Sequence, residues 1–367
     1  LAMDNTDIAF YTDLFKNKLK RNITNVELFD LAQSNSEHSR HFIFNGKIII
    51  DNIEKSNSLF NLVKEPYKHY QNNSILAFCD NSSAIKGFYI DTLLTNNSYL
   101  YEKTNSLYHI AFTAETHNFP TAIAPFQGAN TGIGGRIRDN LAIGKGGTLI
   151  ASTAGYCVGF IDYKNTPALN ILIEASNGAS DYGNKIGEPI IQGFTRSFKQ
   201  TINNIDYEWI KPIMFTGGIG QVLNNNLYKD PPNTNMIIIQ IGGPAYRIGL
   251  GGGSASSLEN TNTNNYSAIQ RGDPEMANRL YRVIKTLSEK NIIKSIHDQG
   301  AGGMANVTKE IISPMGGSIY LDKVNLGDNT LNDLEIWGAE YQEQVTILIN
   351  KQDLILLENI CKKENTP

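Results

Sequence analysis

Apolar residues recur at helical spacing near the start of the chain, where Ile8, Tyr11, Phe15 and Leu19 predict a helix over 6–20. Thr24-Asn25-Val26-Glu27 has the form of a capping box, in which hydroxyl and carboxylate each satisfy a backbone N–H, so a second helix is expected through Ala32. From residue 47 the texture changes to short runs of β-branched and aromatic residues at 47–51, 75–79, 87–94, 108–114 and 156–163. The last leads through Thr166-Pro167, a cap followed by proline at the first helical position, into a helix over 168–178. The Asn-rich stretch 224–235, with Pro231-Pro232, reads as a linker. Beyond it strands at 236–241, 292–297, 318–323 and 344–349 interleave with helices at 274–290, 303–312, 331–337 and 352–362. Strands and helices mixed in this way predict an α/β (α+β) fold. It divides into a helical linker over 1–40, an N-terminal domain over 41–228 and a C-terminal domain over 229–367. The first residue is Leu rather than Met, and the last helix falls where the pattern calls for another strand. The chain therefore reads as a piece of something longer, with its C-terminal domain truncated.

At 367 residues the chain has room for two or three domains and a sizeable core. Its 32 Lys and Arg against 36 Asp and Glu, net −4, supply no global basic field, which argues against a nucleic-acid or membrane-surface binder. The apolar runs are of strand length, far short of the ~20 residues of a membrane span. Residues 1–30 carry no signal-peptide core. Cys79, Cys157 and Cys361 lie far apart with no Cys-x-x-Cys spacing, so neither a zinc site nor a disulfide framework is indicated. Each reads as a small core residue, and a reducing cytoplasm is the expected compartment.

Candidate chemistry gathers at predicted strand ends. Glu115-Thr116-His117-Asn118-Phe119-Pro120 is followed by Gly128-Ala129-Asn130-Thr131-Gly132-Ile133-Gly134-Gly135-Arg136-Ile137-Arg138-Asp139. Here the glycines would let backbone N–H groups approach phosphate, the two arginines supply positive charge, and Glu115 and Asp139 offer hard oxygen ligands for Mg²⁺. The pattern is neither a Walker A loop nor Gly-x-Gly-x-x-Gly, and a lone glycine cluster would read as a tight turn. Asn35-Ser36-Glu37-His38-Ser39-Arg40-His41 pairs two histidines that serve either as acid and base or as cations at a helix C-terminus. His297-Asp298-Gln299-Gly300 offers Asp298 as a metal ligand or a helix cap. Residues 249–253, rich in glycine, form either a phosphate cradle or a flexible hairpin. Gln270, Glu340 and Gln342 set amides and carboxylates near element ends. No exposed cysteine nucleophile with a base is apparent, so a thiol hydrolase is unsupported.

Together with the run at 211–220, these motifs, in this order, resemble phosphoribosylformylglycinamidine synthases of the large, multidomain form. The resemblance covers nearly the whole chain and implies one synthetase unit with its preceding linker helices. It implies a mixed sheet in the N-terminal domain, similar to the aminoimidazole ribonucleotide synthetase superfamily. The implied reaction is ATP-dependent conversion of formylglycinamide ribonucleotide to the amidine, with ammonia from glutamine. A second synthetase unit and a glutaminase domain are the implied partners. By the same resemblance His38 is an active-site histidine, His117 a proton acceptor, and His41 lies by the nucleotide. Glu115, Asp139 and Asp298 would hold Mg²⁺, and 128–139 would wrap ATP phosphates. Arg138, Gln270, Glu340 and Gln342, with Thr116 and Asn118, would contact substrate. The sequence departs from the family at Thr113 for a nucleotide-contacting lysine, Phe119 for a histidine, Ser39 for a cysteine and Tyr341 for a serine. Tyr341 is expected to add bulk at the substrate wall, and Thr113 to remove a charge near phosphate. Two alternatives stay open: another ATP-using synthetase of the superfamily, and a non-catalytic unit that binds nucleotide and Mg²⁺.

Overall fold

A computed structural model describes residues 3–36, 41–70, 72–96, 100–161, 167–257 and 266–367. The linker forms as its spacing predicts: α1 (Asn5–Asp13) runs into a π turn at Leu14–Lys18, and α2 (Asn25–Ser34) starts from the Thr24–Glu27 capping box. The short α3 (His41–Phe44) follows. The strand expected over 47–51 shrinks to β1 (Ile49–Ile50), paired with β2 (Ile53–Glu54), because Asp51 and Asn52 adopt left-handed φ of 52° and 61° and turn the chain back. Next comes α4 (Leu59–His69).

The first large layer runs β3 (Ser74–Leu76), β4 (Ser83–Thr95), β5 (Tyr101–Thr116), α5 (Asn118–Ile123), α6 (Pro125–Leu141), β6 (Thr148–Val158), α7 (Pro167–Ile186) and β7 (Ile190–Ser197). The hairpin β8 (Lys199–Ile202) and β9 (Ile205–Glu208) leads to β10 (Ile213–Leu223). The mixed sheet has the order β3-β4-β5-β10-β6-β7, antiparallel throughout except for the β6–β7 pair. Helices α6 and α7 cover one face, where Ile133, Ile137 and Tyr182 pack on Tyr156 and Met214. The opposite face leaves Phe112, Ile150 and Ile219 exposed.

The second layer contains β11 (Met236–Gly242), α8 (Gly252–Ser256), α9 (Pro274–Glu289), β12 (Ser295–Asp298), α10 (Gly303–Ile312), α11 (Asp333–Gly338), β13 (Gln344–Asn350) and α12 (Leu354–Lys363). Its antiparallel sheet has the order β11-β13-β12. Leu280, Val283, Ile284 and Leu287 form the apolar stripe of α9 against that sheet, and Leu141 and Ala142 at the end of α6 join the same core. The two layers are therefore tied at the C-terminal end of α6.

Several boundaries differ from the sequence pattern. The strand expected at 156–163 is β6, which begins at Thr148 and ends at Val158. The helix expected over 168–178 continues to Ile186, and its proposed Thr166 cap lies outside the described residues. The expected strand at 318–323 is instead a 3-10 turn at Leu321–Lys323. Strand β10 was hidden by its glycines, which interrupt the apolar alternation. One is required by packing: a Cβ on Gly218 would sit 2.0 Å from Nη1 of Arg136, which passes beneath the strand. Cys361 is buried as expected, whereas Cys79 is exposed, because it lies in the loop after β3 and not in a strand.

Candidate active site

The expected open phosphate loop at 128–139 is the interior of α6. This corrects the backbone contact proposed for it, since N–H groups inside a helix are committed to carbonyls one turn back. The glycines serve close packing instead. A Cβ on Gly128 would lie 2.3 Å from backbone atoms of Pro120 and Thr121 in α5, and one on Gly132 would lie 2.8 Å from Cβ of His117. Four residues of the motif, Thr131, Gly135, Arg138 and Asp139, line a cleft of about 1470 Å³ between the two layers. Their spacing of four, three and one places them on one helical face. Gly128, Ala129, Asn130, Gly132, Ile133, Gly134, Arg136 and Ile137 do not line it.

Arg136 is fully buried in an ion pair with Glu188, with Nη1 donating to Oε1 at 2.8 Å, the other Nη also engaged, and Nε donating to Thr216 at 3.3 Å. Arg138 is also buried, but its Nε and Nη1 have no hydrogen-bond partner among the described residues. The nearest carboxylates are Asp298 at 3.8 Å and Glu343 at 3.9 Å.

Strand β5 delivers Glu115 and Thr116 to the cleft, and His117 opens α5. The backbone N–H of His117 donates to the Met214 carbonyl at 2.8 Å, and Asn118 Oδ1 accepts from Met214 N at 3.0 Å, so the turn is pinned to β10. His117 Nδ1 lies 2.7 Å from the Gly128 carbonyl. A carbonyl only accepts, so Nδ1 carries a proton, and in the neutral form of the ring the lone pair lies on Nε2.

The second layer contributes Asp298 from the end of β12, with Gln270, Glu340 and Gln342. Glu340 Oε1 accepts from Gly253 N and Gly302 N, both at 3.1 Å, and Oε2 accepts from Gln270 at 2.6 Å. Burial nonetheless pushes its carboxyl up to about 7. The 249–253 loop thus spends the Gly253 N–H on a carboxylate. Gln270 Oε1 and Gln342 Oε1 are buried without a hydrogen-bond partner among the described residues.

Burial and the charge of Asp298 raise Glu115 to about 7, and the same causes, with Glu115 itself, hold Asp139 well above the usual aspartate range. Burial also acts to raise Asp298, but His297, Arg138 and Lys229 outweigh it and the net shift is downward. Among the described residues no three His, Cys, Asp or Glu side chains close into a metal cage. Mg²⁺ does not need one, since it is usually held by one or two carboxylates plus phosphate and water. Glu115 and Asp139, hard-oxygen donors pushed toward protonation by burial and then by the carboxylate charge beside them, suit such an ion.

His38 lies outside the described residues, and His41 opens α3 with its side chain likewise undescribed. Tyr341 adds no bulk to the cleft: it is 1% exposed, packs with Met304 and Ile336, and donates its hydroxyl to the Ile336 carbonyl at 3.0 Å. Phe119 does line the cleft, with Lys211 Nζ 5.9 Å from its ring centroid. Sequence reasoning missed Gln33 of α2, whose Oε1 accepts from Ser254 N at 3.2 Å, together with Asn81, Lys211 and Lys229. Lys211 opens the run at 211–220, to which the sequence reading gave no role, and the other three sit in no recognisable motif.

Residues 1–41 match the family described as formylglycinamide ribonucleotide amidotransferase linker domain. Residues 97–222 and 234–367 match the N- and C-terminal domains of AIR synthase related protein. A probable phosphoribosylformylglycinamidine synthase of Arabidopsis thaliana, named as chloroplastic/mitochondrial, is 50% identical over 99% of the chain and 28% of its own length. The Dictyostelium discoideum phosphoribosylformylglycinamidine synthase is 50% identical over all of the chain, and the human one 46%, each covered over 29% of its length. The chain thus spans under a third of these curated relatives. Among solved structures, Thermotoga maritima PurL complexed with FGAR gives a TM-score of 0.68 at 25% identity over 98% of this chain and 50% of that one. The PurL complex with ATP gives 0.66 at 23% identity, over 98% and 49%. With the linker, both synthetase domains and near-half identity across its whole length, the chain belongs to the phosphoribosylformylglycinamidine synthase family.

Proposed function

We propose that this chain builds an ATP- and substrate-binding synthetase unit that takes part in converting FGAR to formylglycinamidine ribonucleotide in purine biosynthesis. One observation carries this reading. Four of the five buried polar side-chain atoms without a hydrogen-bond partner among the described residues belong to Arg138, Gln270 and Gln342, all on the cleft wall. Buried polar atoms are nearly always paired, so these three side chains are arranged for a polar ligand. PurL of T. maritima, of matching fold, has been solved with FGAR and with ATP.

In the proposed reaction ATP phosphorylates the amide oxygen of FGAR, ammonia attacks the amide carbon, and phosphate leaves. Arg138 would hold anionic oxygen, while Gln270, Gln342, Glu340, Thr116 and Asn118 would fix the substrate. His117 would accept a proton at Nε2 as ammonia attacks, its ring held by Gly128. His38 keeps its proposed role as an active-site, catalytic histidine, and His41 its proposed place by the nucleotide. Glu115, Asp139 and Asp298 would hold Mg²⁺, which would neutralise triphosphate charge. Lys211 and Lys229 on the cleft wall supply positive charge where Thr113 does not.

The exposed apolar face of the six-stranded sheet, at Phe112, Ile150 and Ile219, suits a second synthetase unit, and ammonia would come from a glutaminase domain. The proposed division remains 1–40, 41–228 and 229–367. Among the described residues no helix is long and apolar enough to cross a membrane, and we propose a cytoplasmic location. The test is ammonia-dependent ADP release by the full-length protein carrying His117→Ala. We expect kcat to fall roughly 10²–10⁴-fold with KM for ATP little changed. A near-normal kcat would make His117 structural and favour the non-catalytic alternative.

A further inference from the structure

Three consecutive residues after β3 each grip the C-terminal end of α6 or the turn just beyond it. Asp80 Oδ2 accepts from Gly144 N at 3.0 Å, Asn81 Nδ2 reaches Asp139 Oδ1 at 3.5 Å, and Ser82 Oγ donates to Asn140 Oδ1 at 3.1 Å. The Asn81 amide does more than brace the helix. Its Nδ2 also donates to Asp298 Oδ1 at 2.7 Å, so one NH₂ group spans two carboxylates carried by different layers of the fold. On its other side Oδ1 accepts from Lys229 Nζ at 3.0 Å, and the same ammonium pairs with Asp80 Oδ1 at 2.6 Å.

An amide donates only through nitrogen and accepts only through oxygen, whereas an ammonium only donates and an ionised carboxylate only accepts. With Lys229 on one side and two carboxylates on the other, a single orientation of the Asn81 amide satisfies all of them. We propose that Asn81 is the positioning residue that sets the spacing of Asp139 and Asp298 for the divalent cation, and that Lys229 fixes the direction of its amide. This rests on the magnesium reading given above. Hydrogen-bond donors that orient metal-ligating carboxylates typically govern metal affinity by ten- to a hundredfold.

The test uses the full-length protein with Mn²⁺ as probe in the presence of ADP, its affinity read from water-proton relaxation. Asn81→Ala should weaken Mn²⁺ roughly 10–100-fold. Lys229→Met should weaken it by a smaller factor, Lys229→Arg should restore it, and the double variant should bind no worse than Asn81→Ala alone, since Lys229 acts through Asn81. Wild-type affinity in a folded Asn81→Ala overturns the proposal while leaving the magnesium reading intact. A double variant showing the full effect of both changes overturns the role given to Lys229. If Asn81→Ala does not fold, equal affinities in Lys229→Met and wild type overturn it instead. A wild-type protein that takes up no Mn²⁺ removes both the magnesium reading and this inference.

Discussion

Arg136 and Arg138 stand two positions apart on one helix, about 200° around its axis, and they meet opposite fates. Arg136 turns inward beneath β10, where Glu188 and Thr216 give each of its three nitrogens a partner. Arg138 turns toward the cleft with Nε and Nη1 unbonded among the described residues and carboxylates held 3.8 and 3.9 Å away. Both are buried, so exposure does not separate the structural arginine from the one proposed to meet ligand. Completeness of hydrogen bonding does. An interior pair closes its own account of donors and acceptors, while a binding site leaves part of that account open to the ligand.

Breaking the closed pair should have the largest effect. Arg136→Ala leaves Glu188 charged and alone, and stability measured by chemical denaturation should fall by about 3–5 kcal/mol. Pairing it with Glu188→Leu should recover much of that loss, and a loss below 1 kcal/mol would refute the inward assignment. Next in size is Glu340, a cleft carboxylate with three N–H donors and no cation in ion-pair contact among the described residues. Its carboxyl is raised from 4.5 to about 7, so the folded state binds a proton that the unfolded state has released. Stability of the wild type relative to Glu340→Gln should therefore be greatest below pH 4.5 and fall as pH rises to about 7, by roughly 3 kcal/mol in all. A difference that stays flat across this window would show that Glu340 remains ionised throughout.

Arg138→Met sharpens the comparison from the other side. Stability should fall less than in Arg136→Ala, because no formed hydrogen bond through Nε or Nη1 is lost and the facing carboxylates of Asp298 and Glu343 stand 3.8 and 3.9 Å away. Affinity for FGAR or ATP should drop by roughly 1.5–3 kcal/mol in calorimetry, the usual worth of a hydrogen bond to a charged group. Equal stability losses in the Arg136 and Arg138 variants, with affinity intact, would erase the distinction between the two faces of α6.

How much of this was legible in the sequence depends on the range of the forces involved. Thr24 and Glu27 cap α2 within one turn, and the stripe Leu280, Val283, Ile284 and Leu287 predicts α9 and its buried face. The motif at 128–139 pointed to a segment that does bring four residues to the cleft, and misjudged its form. Glycine density suggests a loop when the neighbours are unknown, and only α5, with backbone atoms 2.3 Å from a hypothetical Gly128 Cβ, shows why a helix there must lack side chains. Tyr341 was misread for the same reason: residue volume is written in the sequence, but the direction in which it points is set by its hydroxyl bond to Ile336 and by Met304 beside it.

The sequence alone determined the elements with short-range causes, the family-specific motifs and the inventory of chemical groups available to a site. Tertiary structure decided which groups meet. Asn81 and Asp298, separated by 217 positions, share a hydrogen bond, and Arg136 finds Glu188 across 52. Such pairings follow from the packing of two layers around α6, and no local pattern encodes them. Which donors and acceptors stay unpaired in the cleft is a property of that packing, because a polar atom is satisfied or left open only by what the rest of the chain brings beside it.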